Sequence, residues 1–137
     1  MSNISLIIFD LDETLICSKT RSLLYNVKDI LQRLKNTGFI IGLASYNAHA
    51  DIILELHEIK HFFNFIEYED TRGVKHLDMK KKMLNNIIQK SGIPSDKCLF
   101  LDDQIRNLVT AKELGMLIGH VDKILNPVHV ILSPFLI

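Results

Sequence analysis

Ile4-Ser5-Leu6-Ile7-Ile8-Phe9-Asp10-Leu11-Asp12-Glu13-Thr14-Leu15 decides how this chain is read. A strand with one wet face alternates apolar and polar residues, whereas a continuous apolar run that breaks into acid reads as a strand buried on both faces. Moving outward, Val27, Ile30, Leu31 and Leu34 recur at helical spacing, and Gly38 lies where a helix stop is expected. Phe39 to Ala44 reads as a second buried strand that ends in Ser45-Tyr46-Asn47, and a helix through Asp51 to His57 follows. The stretch from Phe62 to Tyr68 is less regular. Met83, Leu84, Ile87 and Ile88 mark another helix, closed by Ser91-Gly92 with Pro94 beyond. Lys97 to Leu101 is the next strand and ends in Asp102-Asp103. Ile105, Leu108, Val109 and Leu114 then predict a helix, and Met116 to Ile118 a short strand. The apolar segment Val128 to Ile137 is expected to add an edge strand or to pack over the sheet.

Strands alternating with helices of this length imply right-handed parallel crossovers, hence a three-layer α/β domain, here a single one spanning residues 1–137. In such sheets ligands bind at the carboxyl ends of the strands. The clusters Asp10/Asp12, Ser45/Asn47 and Asp102/Asp103 each stand at such an end, so they are expected in one crevice.

The 137 residues are 47% hydrophobic, which is enough for one core. Sixteen acidic side chains balance sixteen basic ones, leaving no net field to hold nucleic acid or an anionic membrane. No apolar run approaches the roughly 20 residues that cross a bilayer, and the N-terminus lacks signal-peptide features. The expectation is a soluble, cytoplasmic protein with no membrane partner. Cys17 and Cys98 are too few for a disulfide framework and read as free, half-buried thiols.

Four carboxylates brought together repel one another, and a cation is the simplest remedy. Oxygen ligation by aspartates, completed by water and substrate phosphate, suits Mg²⁺ better than zinc. Asp10, ionised at neutral pH, can attack phosphorus and form an aspartyl-phosphate. Asp12, in the field of the other acids, is the candidate for a raised pKa and for general acid/base work. The loose transition state of phosphoryl transfer needs donors held in place. The Ser45 hydroxyl, the backbone N–H groups after it at Tyr46 and Asn47, and a lysine would supply them.

These residues resemble the signatures of the haloacid dehalogenase superfamily. Phe9 to Leu15 looks like the first, Ser45 like the second and Leu101-Asp102-Asp103 like the fourth, in matching order at strand ends over about residues 4 to 121. Ser91 to Pro94, Phe100 to Asn107 and Leu114-Gly115 are most similar to the small group called magnesium-dependent phosphatase one. Asp-Glu-Thr-Leu in the first signature is also similar to phosphatases of the RNA polymerase tail. The resemblance implies a Rossmann-like fold, with Mg²⁺ held by Asp10, the backbone carbonyl of Asp12, and Asp102. It likewise implies Asp10 as nucleophile and Asp12 as general acid/base, with Thr14, Asp103 and Asn107 supporting them. For the third signature, counting back from Gly92 points to Lys80, and Lys75, Lys81 and Lys82 stay open as alternatives. Core elements fill the intervals from Asp12 to Ser45 and from Ser45 to Lys80, leaving no room for a cap domain. Capless sites admit bulky phosphoesters, so a phosphoprotein, a sugar phosphate or a nucleic-acid 3′-phosphate is the expected substrate. Neutral charge disfavours nucleic acid, while Arg72, Lys75 and Lys80 to Lys82 favour an anionic partner. Relative to that group the segment between Leu15 and Tyr25 is shorter, which bears on the substrate-contacting loop.

His57-Glu58-Ile59-Lys60-His61 matches the zinc-protease pattern, yet has no third ligand in view. Cys17 and Arg21 stand too close for a cysteine-phosphatase loop, and no glycine-rich nucleotide loop occurs. Helix capping would explain one aspartate, not four acids and a serine at three strand ends. The alternatives to a phosphatase are a receiver-like phosphoacceptor domain and a catalytically silent module that binds a phosphorylated partner.

Overall fold

A computed structural model describes residues 3–69 and 79–136. Five parallel strands form one sheet: β1 (Leu6–Phe9), β2 (Ile40–Ser45), β3 (Phe65–Tyr68), β4 (Cys98–Asp102) and β5 (Leu117–His120). Their spatial order is β3-β2-β1-β4-β5, with Phe9 opposite both Leu43 and Leu101. The chain thus runs outward from the centre on one side and returns to build the other. The point where the order reverses lies between β1 and β4, where open α/β sheets form their ligand crevice.

Alternation along the central strands sorts two cores. Ile7 and Phe9 face one side with Ile41, Leu43, Leu99 and Leu101, covered by α1 (Val27–Thr37) and α2 (Ala50–Leu56). Leu6 and Ile8 face the other with Cys98 and Phe100, covered by α3 (Met79–Ser91) and α4 (Ile105–Glu113). Leu6, Ile7, Ile8 and Phe9 are all fully buried. That is why the run shows no alternation in polarity: both faces are apolar. Each such side chain contributes about 1.5–3 kcal/mol on burial.

Helix α1 ends where Gly38 adopts φ 102° and its N–H reaches the carbonyls of Leu34 and Lys35. A left-handed stop of that kind favours glycine. The less regular stretch holds a 3₁₀ turn, Lys60–Phe62, followed by β3. Three of the β3 side chains are half-buried and Tyr68 is exposed, giving neither a continuous apolar run nor a clean alternation. Between β1 and β2, and between β2 and α3, the described residues form no second folded unit.

The last segment takes the second of its two expected courses, packing over the sheet rather than adding an edge strand. After Pro127 it forms a short helix, α5 (Val128–Ile131), and a 3₁₀ turn, Ser133–Phe135. Val128 and Leu132 join the core beside α1, and Phe39 meets Phe135 edge to face. Among the described residues no helix is long and apolar enough to cross a membrane.

Candidate active site

Asp10 follows β1 and continues its ladder, its N–H bonded to the Leu101 carbonyl at 2.9 Å. Asp102 closes β4 and Asp103 follows it. One carboxylate oxygen from each of the three lies within 4.8 Å of the others. This all-oxygen set, drawn from three acids beside one another, fits a hard divalent cation such as Mg²⁺.

Asp102 is fully buried and fixed from three directions. Its Oδ1 accepts from the Gln104 N–H at 2.9 Å, and its Oδ2 accepts from Asn107 Nδ2 at 3.0 Å. The third contact is the ammonium of Lys80, 3.5 Å from Oδ2. Asn107, on α4, therefore orients a carboxylate that could hold a metal.

Lys80, the second residue of α3, has no solvent exposure. Its Nζ stands 3.1 Å from Asp10 Oδ1 and 2.7 Å from the Ala44 carbonyl. Tyr46 and Phe100 place their rings 4.9 and 5.6 Å from the same ammonium. Lys81 and Lys82 are exposed on the other side of α3. Lys75 and Arg72 lie outside the described residues. Of the described lysines in that run, Lys80 reaches the acids.

Burial is the largest influence on the Asp10 carboxyl and pushes it well above the ordinary range. Lys80 pulls it down, and the charges of Asp102 and Asp103 push it further up. Asp103 is likewise raised, by burial first and then by Asp102. Upward shifts thus fall on Asp10 and Asp103, and burial leads at both. A cation among the three acids would offset the repulsion that raises them.

The Asp12 carboxylate lines the same cleft and meets the loop after β2. Asn47 Nδ2 donates to it, at 3.2 Å from Oδ2. Asn47 itself is braced through Oδ1, which accepts from the His49 N–H at 2.8 Å. Ser45 is buried, and its Oγ accepts from the Asn47 N–H at 3.0 Å. The Tyr46 hydroxyl accepts from the Lys80 N–H at 3.0 Å, tying the loop after β2 to the start of α3. Thr14 is fully buried, and its Oγ1 has no hydrogen-bond partner among the described residues.

Asp10, Asp12, Tyr46, Asp103 and Asn107 line one cleft of about 180 Å³, together with Glu13, Ser18, Gln104 and Arg106. Those last four were not singled out from sequence. Glu13 sits at φ 62°, a backbone conformation that costs a non-glycine residue energy. Its side chain makes two contacts there: Oε1 accepts from the Ser18 N–H at 2.7 Å, and the other oxygen pairs with Lys123. The Lys123 contact, and then Ser18, hold the Glu13 carboxyl down at about 2. Ser18 belongs to a small hairpin in which Ile16 pairs with Leu23.

The zinc-protease pattern does not form its helix. α2 stops at Leu56, His57 caps it, and Glu58 turns to φ 58°. His57 Nε2 instead meets the Arg21 carbonyl at 2.6 Å, and His61 stacks on Phe62. Cys17 is partly exposed and Cys98 buried, both free.

The family model described as haloacid dehalogenase-like hydrolase matches residues 18–121. That range begins after Asp10 to Thr14, so the placement of the first signature rests on the geometry above. Magnesium-dependent phosphatase 1 from Homo sapiens is 28% identical over 103 residues, which are 73% of this chain and 54% of that protein. The chain thus spans about half the length of that relative. A putative phosphatase from Clostridium difficile superposes with a TM-score of 0.82 at 16% identity, covering 97% of this chain and 92% of the other. A haloacid dehalogenase-like hydrolase from Streptococcus pneumoniae gives 0.76 at 14% identity, covering 97% and 91%. At such identities the two structures bear on the fold alone.

Proposed function

The chain belongs to the haloacid dehalogenase-like hydrolases, and from that premise we propose that it is a Mg²⁺-dependent phosphomonoesterase working through an aspartyl-phosphate on Asp10. The observation that carries this reading is the trio Asp10, Asp102 and Asp103, with their oxygens within 4.8 Å and the Lys80 ammonium 3.1 Å from Asp10. The likeness to a magnesium-dependent phosphatase supports it. Asp10, Asp102 and the Asp12 carbonyl would hold the metal, with Asp103 beside them. When bound, Mg²⁺ would neutralise charge on the transferring phosphoryl group and keep Asp10 ionised.

Asp10 attacks phosphorus. The Oδ–P bond forms as the bond to the leaving oxygen breaks, and Asp12 gives that oxygen its proton. Water then attacks the phosphorus of the aspartyl-phosphate while Asp12 takes back a proton, so that Asp10 and inorganic phosphate are released. Asn47 holds Asp12 in position for both transfers. Ser45, the N–H groups of the loop after β2, and Lys80 supply donors and charge for the phosphoryl oxygens. Among the described residues no second folded unit covers the cleft, which supports an open site for a phosphorylated substrate.

Hydrolysis of an aryl phosphate with Mg²⁺ present tests the reading. Asp10→Asn should lose at least about 10³-fold in kcat, in line with losses on removing covalent nucleophiles. Undiminished turnover in that variant would refute the role of Asp10. A stable phosphoprotein without turnover would favour the receiver-like alternative.

A further inference from the structure

We propose that Arg106 forms a second anion site on the wall of the cleft, so that the preferred substrate is a phosphate ester whose leaving group carries a carboxylate. This rests on the phosphatase reading and names the substrate class for the same site. The inference follows from where the cations near the cleft are already engaged. Lys80 is buried against Asp10, Asp102 and the Ala44 carbonyl. Lys123 is paired with Glu13. Arg106 is exposed and lines the same cleft as Asp10, and its guanidinium makes no ion pair or hydrogen bond among the described residues. It stands in the first turn of α4, which carries no acid to offset the positive end of the helix.

Among the described residues, the other charged side chains lining the cleft are Asp10, Asp12, Glu13 and Asp103. A leaving group with its own negative charge is repelled along that wall, except beside Arg106. A neutral leaving group gains nothing there. The planar guanidinium fork matches a carboxylate through two parallel hydrogen bonds, a match that a lysine point charge does not provide.

3-Phosphoglycerate and glycerol 3-phosphate differ at one end, by a carboxylate in place of a hydroxymethyl group. With Mg²⁺ present, kcat/KM for the first should exceed that for the second by about tenfold to a hundredfold, the worth of a charge-assisted hydrogen-bonded pair. Arg106→Gln should collapse that ratio towards one, and Arg106→Lys should restore only part of it. A ratio near one in the parent protein, or a ratio that survives Arg106→Gln, overturns the inference. An aryl phosphate, assayed in the same preparations, separates the two readings. If it is hydrolysed while the ratio fails, the second anion site is wrong and the phosphatase stands. If none of the three esters is hydrolysed, both fall.

Discussion

Replacing Lys80 with methionine keeps most of the aliphatic stem and deletes the ammonium, so the change is electrostatic rather than steric. Three contacts disappear: Asp10 at 3.1 Å, the Ala44 carbonyl at 2.7 Å and Asp102 at 3.5 Å. With Lys80 fully buried, water cannot replace them without opening the site. Removing one partner of a buried ion pair costs about 3–5 kcal/mol, because the remaining charge is left unpaired. For a chain of 137 residues this corresponds to a melting temperature lowered by about 10–20 °C. The acids can relieve part of the loss by taking up a proton. Asp10 is already raised by burial, and Lys80 is what pulls it down, so its removal sends the carboxyl higher still. The penalty should therefore grow as pH rises, because each further unit of pH makes that protonation about 1.4 kcal/mol more costly. Thermal melts of parent and Lys80→Met without metal, at pH 5 and pH 8, measure the effect. The larger gap is expected at pH 8, and added Mg²⁺ should narrow it. A cycle with Asp10→Asn should be non-additive, the double variant being less destabilised than the sum. A drop under about 3 °C at both pH values would refute this account of Lys80 as the counter-charge of the buried acids.

Asn107→Ala removes the amide that fixes Asp102 and should weaken Mg²⁺ binding by about 10–100-fold, read as a shift in the metal dependence of activity with little change at saturation. Glu13→Gln should destabilise by a constant amount from pH 8 down to about pH 5, since the Glu13 carboxyl is held at about 2 against an ordinary 4.5. A lowered carboxyl stabilises fully above its unfolded value, and that contribution disappears as pH falls towards 2, so urea midpoints of the two proteins should converge there. Thiol labelling at pH 8 should modify one cysteine. Hydrogen bonds from Thr20 and Lys19 lower Cys17, whereas burial pushes Cys98 up to about 11, leaving it a thiol until the fold opens.

The strands that carry the site were legible because each is buried on both faces and ends in polar residues, and the fold brings those ends together near the reversal point of the sheet. β3 is hard to read because three of its four residues are half-buried and Tyr68 is exposed, so they neither form an apolar block nor alternate. For the terminal segment the apolar pattern left an edge strand and packing over the sheet both open; after Pro127 it forms a short helix whose Val128 and Leu132 join the core beside α1. The role of Asn47 also lay outside a local reading. From sequence it stood with Ser45 as a phosphate ligand, and only the fold brings its amide to Asp12, a contact spanning two strand ends. Arg106 and Gln104 are a similar case, since their place on the cleft wall depends on the direction in which α4 leaves β4.

Lys80 differs from these, because its signal was present in helical phase. Lys80, Met83, Leu84 and Ile87 follow the i, i+3, i+4, i+7 stripe of a core-facing helix side, and all four are buried. Lys81 and Lys82 fall off that stripe and are exposed. A lysine on an apolar stripe must find an anion inside or not fold there, since an unpaired buried ammonium costs several kcal/mol. With strand-end acids converging in the same sheet, the anions were predictable too. The helix phase and the charge balance select the same residue, and neither depends on counting back from Gly92. The same logic applies to Arg106 from the opposite side. A cation left off the apolar stripe, exposed and without a carboxylate partner, is the one whose counter-charge the protein does not itself provide.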